Sequence, residues 1–218
     1  SIALLVQQGL MAHQLNQLDE AKSLYEQVLA KDSANVSALE LLGLIHFSQC
    51  NYEQALYYYL EAVQKNPSNP IIHHNIGNVL ADLGRLEEAI FSFDTCLTLD
   101  PNNAEVYKNK GTTLEGLGRD EDALFAYKQA EALNPNDAEI AHYQCTVLTN
   151  LGQLSEALGA CNKALSIKSA FPEAHYSRGN IFSELGQHEN AELEYATATS
   201  LDPSFAKAYK KHGDALLN

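Results

Sequence analysis

Histidine, cysteine and paired carboxylates are the side chains whose types and spacing could do chemistry in this sequence. His188-Glu189-Asn190-Ala191-Glu192 begins like an HExxH stretch, in which two His one helical turn apart share a zinc ion, but Glu192 stands where the second His belongs. Of the eight His, the adjacent pair His73 and His74 point to different sides of a helix, and His74 and His142 are too far apart in the chain to chelate one ion. Cys50, Cys96, Cys145 and Cys161 form no CxxC pair, which gives neither a zinc site nor a disulfide framework and leaves a reducing, cytoplasmic setting as the expectation. No GxxxxGK[ST], GxGxxG or GxSxG occurs. Glu105, Glu139 and Glu173 recur at the second position of a helix, where negative charge complements the helix dipole, and no carboxylate pair stands out as general acid and base. No metal, no cofactor and no catalysis are therefore expected of this chain by itself.

Composition narrows the partners. The 218 residues hold 28 acidic and 14 basic side chains, for a formal charge of −14. Phosphate backbones and anionic membrane surfaces both require clustered Lys and Arg, so nucleic acid and membrane are excluded as partners. The longest uncharged apolar stretch, Leu41 to Tyr52, falls well short of the roughly 20 residues of a membrane span. The opening SIALLVQQGLMAHQ lacks the basic n-region of a signal peptide.

The elements that position these residues are set by a repeat. Stepping by 34 residues from Gly9 gives Gly43, Gly77, Gly111, Cys145, Gly179 and Gly213. In phase with it run Ala21, Ala55, Ala89, Ala123, Ala157 and Ala191, and the bulky series Tyr25, Tyr59, Phe93, Tyr127, Cys161 and Tyr195. Each unit reads as two helices. The turn between them falls on Asn16, Cys50, Gly84, Gly118, Gly152 and Gly186, and Cys50 is the odd residue at a place that favours a left-handed backbone. Asn35, Asn69, Asn103 and Asp137 are N-caps for the next helix, and Pro172 follows Phe171 where that series breaks. Small residues let the two helices approach while the aromatic series fills the space beside them. Cys145 and Cys161, which replace both partners in one unit, are expected as two inert buried thiols, with a disulfide as the alternative.

One hairpin cannot bury its apolar face alone, so neighbours must stack. The expectation is an all-α, right-handed α-solenoid, or superhelix, of six units (2–35, 36–69, 70–103, 104–137, 138–171 and 172–205) and a terminal helix, 206–218. Leu216 and Leu217 end that helix without a polar cap, which suggests that the natural chain continues past Asn218.

The period and these registers resemble the tetratricopeptide repeat over essentially the whole chain. The resemblance implies a non-catalytic protein–protein interaction scaffold that binds an extended peptide or partner segment in a concave groove lined by the first helix of each pair. Carried onto this sequence, the groove residues of units three to six are His74, Asn75, Asn78, Lys108, Asn109, Thr112, His142, Tyr143, Thr146, Tyr176, Ser177 and Asn180. Their Asn amides offer both donor and acceptor to a peptide main chain, on a face that helix packing is not expected to use. Units one and two place Val6, Leu10, Leu41, Leu44 and Phe47 on that face, an apolar interface for a hydrophobic segment, a further piece of chain or a second copy. The carboxylate clamp of co-chaperone arrays is incomplete, because His74, Asn78 and Asn109 are followed by Glu139 and Tyr143 rather than a basic pair. HHNIGNVLADLGRLEEAIFSFDTCLTLDP and AHYSRGNIFSELGQ are similar to the array of O-linked N-acetylglucosamine transferase-type proteins. That likeness implies, as the alternative, a substrate-selecting arm of a larger glycosyltransferase.

Overall fold

The computed structural model describes residues 1–215, all of its secondary structure helical. Among the described residues there are thirteen helices: α1 (Ile2–Gln14), α2 (Leu18–Lys31), α3 (Val36–Ser48), α4 (Tyr52–Lys65), α5 (Pro70–Asp82), α6 (Leu86–Leu99), α7 (Ala104–Gly116), α8 (Asp120–Leu133), α9 (Ala138–Asn150), α10 (Leu154–Ile167), α11 (Pro172–Glu184), α12 (His188–Leu201) and α13 (Ala206–Ala215). They form six hairpins and a last helix, as the period requires. Leu216 and Leu217 lie outside the described residues. The chain divides into two compact bodies, Ser1–Asn102 with α1 to α6 and a second from Asn103 onward with α7 to α13.

Local chemistry explains each boundary. Asn35, Asn69, Asn103 and Asp137 accept backbone N–H bonds from the first turn of α3, α5, α7 and α9. Phe171 makes no such bond, and α11 opens on Pro172 instead. At every hairpin turn the backbone becomes left-handed, with φ of +74° at Gly84 and +57° at Cys50, the latter a side chain in a conformation that glycine tolerates best. The residue after each turn then bonds back over it, as Arg85 N–H does to Leu80 O at 2.8 Å.

Within a hairpin, the glycine of the first helix lies under the ring of the second. A Cβ at Gly9, Gly43, Gly77, Gly111 or Gly179 would come within 2.4 to 2.6 Å of Tyr25, Tyr59, Phe93, Tyr127 or Tyr195. These rings are fully or almost fully buried, and the Ala series beside them is buried too. Repeat five differs: Cys145 and Cys161 form a disulfide, with Cα atoms 5.3 Å apart. This corrects the expectation of two free thiols. The repeat places the two positions at bridging distance, and neither a ring nor a glycine is left to fill the gap. Cys50 and Cys96 are free. Among the described residues no helix is long and apolar enough to cross a membrane.

Candidate partner-binding faces

The candidate residues fall into both bodies. In the second, α7 touches α9 and α9 touches α11, so the first helices form a face of their own. Lys108, Asn109 and Thr112 come from α7, His142, Tyr143 and Thr146 from α9, and Tyr176, Ser177 and Asn180 from α11. All are half-buried except Thr112, which is exposed.

The face is cross-tied. Lys108 Nζ donates to Glu105 at 2.9 Å and to Glu139 of the next hairpin at 3.5 Å, and its side chain is only 15% exposed. Burial pulls the Lys108 ammonium down, but the bond and charge of Glu105, with Glu139 behind it, hold it above its ordinary value. This cation is already engaged by two carboxylates within the protein. His142 Nε2 and Ser177 Oγ are 3.0 Å apart, linking α9 to α11, and the imidazole packs on Phe171 at 5.0 Å. Burial pushes the His142 pKa down, so the ring is held neutral near pH 7. Tyr143 stacks on Tyr127 at 5.4 Å with the planes 17° apart. The Tyr127 hydroxyl in turn donates to Glu115, whose carboxyl burial raises above its usual range. Tyr176 lies between Tyr195 and Phe205 at 5.9 and 5.2 Å.

Asn180 corrects the expectation that these amides face away from packing, because its Oδ1 accepts from the Tyr195 hydroxyl of the paired helix at 3.0 Å. Thr112 and Thr146 donate to the carbonyls of Asn109 and His142 in their own helices. Glu115 is a further member of this face that the candidate residues do not include. Its signal was available: it holds the twelfth position of unit four, on the stripe that carries Lys108, Asn109 and Thr112.

In the first body, α5 carries His74, Asn75 and Asn78, all half-buried. The Asn78 amide donates to His74 Nε2 at 3.2 Å, and that imidazole leans on Phe93 at 6.1 Å. The apolar candidates separate. Leu10 and Leu44 are open, at 41% and 43% exposure. Val6 and Leu41 pack against the cluster of Tyr25, Ala38 and Leu42, and Phe47 lies against Tyr52 at 5.7 Å. The patch is thus smaller than the sequence indicates, since three of its five residues serve packing.

This arrangement defines a class of protein: stacked helix hairpins with a recurring interior and variable side chains collected on the first helices. Within that class the chain belongs to the tetratricopeptide repeat family, whose models match residues 7–70, 70–103, 104–137 and 172–205. No curated protein sequence matches it. Among solved structures, Pseudomonas aeruginosa PilF superimposes with a TM-score of 0.82 at 17% identity, over 98% of this chain and 97% of that one. YrrB, described as a TPR protein with an unusual peptide-binding site, gives a TM-score of 0.72 at 22% identity over 85% of this chain and 96% of its own. MamA gives a TM-score of 0.71 at 24% identity, covering 79% of this chain and 94% of that one. At these identities the likeness is one of fold. What the comparisons show is the repeat family.

Proposed function

We propose that this chain is a non-catalytic interaction scaffold that holds an extended segment of a partner protein along α7, α9 and α11. The observation that carries the reading is the cross-tying of that face. The Lys108–Glu139 and His142–Ser177 contacts bridge successive hairpins, so the half-buried Asn109, Tyr143 and Tyr176 are presented in fixed positions. A pre-ordered face loses less side-chain freedom on binding. Amides and aromatic rings suit an extended main chain with apolar side chains between its amide groups. YrrB supports the reading to the extent that a chain of this fold has a peptide-binding site.

A random peptide library displayed on phage tests it. Peptides selected by the chain are expected to bind Asn109→Ala/Thr112→Ala/Ser177→Ala at least about tenfold more weakly, with unchanged helix content by circular dichroism. Peptides that bind this variant as well as the parent would overturn the assignment of the face. A second reading, the substrate-selecting arm of a larger enzyme, is favoured by Asn75 and Asn109, which occupy the same position of units three and four. It uses the same faces with a catalytic domain in the same chain, and the full reading frame decides it.

A further inference from the structure

The second helices of the first body carry a groove with no part in the proposal above. Residues of α4, α5 and α6 enclose a cavity of about 450 Å³, within the range of sites that hold a ligand-sized group. Leu56, Leu60 and Val63, one to two turns apart on α4, form one wall, and Phe91 of α6 forms another. Ile76 and Leu80 of α5 are almost fully buried and make the floor. Leu56 is buried at 5% exposure, whereas Leu60 and Phe91 open the walls to solvent at 44% and 74%. Phe91 has no role in the hairpin interior, where the neighbouring Phe93 is the buried ring.

The rim selects the occupant. Its charged groups are Arg85, Glu87 and Glu88, and the Arg85 guanidinium is already held by Glu88 through two bonds of 2.8 and 2.7 Å. Glu53 acts on the same guanidinium. The edge is therefore acidic, on a chain that carries −14 overall, so a second copy would bring like charge against like. Wall residues spaced one helical turn apart match the side chains of an opposing helix, which lays two large apolar groups into such a groove.

We infer that the α4–α5–α6 groove docks an amphipathic helix of a partner protein that presents two large apolar side chains one turn apart, flanked by Lys or Arg. The probe is a fluorescein-labelled Leu/Lys peptide of about 15 residues, long enough to form a helix, read by anisotropy at physiological salt. Binding is expected to weaken at least about tenfold in Leu60→Ser/Phe91→Ser. It should stay unchanged in Asn109→Ala/Thr112→Ala/Ser177→Ala, which separates this groove from the face of α7, α9 and α11. Both substituted side chains are exposed, and circular dichroism checks that the helices persist. Equal binding by the parent and Leu60→Ser/Phe91→Ser would overturn the inference, as would equal binding of a peptide with Glu in place of every Lys. A dimer seen by sedimentation in the parent and lost in Phe91→Ser would overturn it in favour of a second copy.

Discussion

Five hairpins of this protein are held by an aromatic ring seated on a glycine, and one, repeat five, by a bond between two cysteines in the same two positions. The two devices are similar in size. Burying a large apolar side chain contributes about 1.5–3 kcal/mol. A disulfide closing a loop of this length contributes about 3 kcal/mol, mainly by restricting the unfolded chain, with the cysteines 16 residues apart. The repeat thus conserves a distance between helices rather than a residue type, and any pair that spans it will serve. The two solutions differ in their dependence on surroundings: a buried ring is indifferent to redox conditions and the disulfide is not.

The largest effect that would break this comparison is loss of a ring. Tyr127→Ala is expected to cost about 3–5 kcal/mol in urea unfolding, by opening a cavity over Gly111. It also leaves Glu115 without its phenol and Tyr143 without its stacking partner. A loss below about 1 kcal/mol would mean that the ring is not what holds the hairpin, since cavities of this kind cost several times more.

Next in size is repeat five itself. Cys145→Ser/Cys161→Ser is expected to lose about 3 kcal/mol relative to the oxidised parent. Cys145→Gly/Cys161→Tyr, which writes the aromatic device into that repeat, is expected to recover most of the loss, and thiol titration of the unfolded parent should count only Cys50 and Cys96. If the Gly/Tyr variant is no more stable than the Ser/Ser variant, the surroundings of repeat five have diverged and the equivalence fails.

The period, hairpins, caps and left-handed turns were all legible in the sequence, because each rests on a local rule repeated in phase. Cys50 shows how far such a rule reaches: its place in the Gly84 series marks it for a positive φ despite its side chain, and it adopts one. The disulfide was only half legible. The registers place Cys145 and Cys161 in the same core, but bonding depends on a distance between helices that cysteine spacing does not encode. The face of α7, α9 and α11 was legible as a set of positions and not as a network. Whether Lys108 faces solvent or Glu139 depends on a residue 31 positions away, and Asn180 meets Tyr195 only because the ring brings its hydroxyl across the hairpin. The groove at Phe91 was not legible, because it exists only where α4, α5 and α6 of successive hairpins meet, which no single helix's pattern records.

The smallest expected effect sharpens the comparison from within the aromatic set, because these rings differ in the fate of one oxygen. The Tyr195 hydroxyl donates to Asn180 and the Tyr127 hydroxyl to Glu115, while Phe93 has none to satisfy. The Tyr25 hydroxyl is buried without a hydrogen-bond partner among the described residues. A buried hydroxyl that is bonded contributes about 1 kcal/mol, and one that is not costs a similar amount. Removing the same atom should therefore have opposite signs in two repeats of one architecture. Tyr195→Phe is expected to lose about 1 kcal/mol and leave the Asn180 amide free to turn, whereas Tyr25→Phe should gain up to about 1 kcal/mol. Urea unfolding of the two variants side by side measures the difference directly. Equal losses would show that the Tyr25 hydroxyl is satisfied in solution, and that ring burial with a bonded oxygen, rather than ring burial alone, is what repeat five has replaced with sulfur.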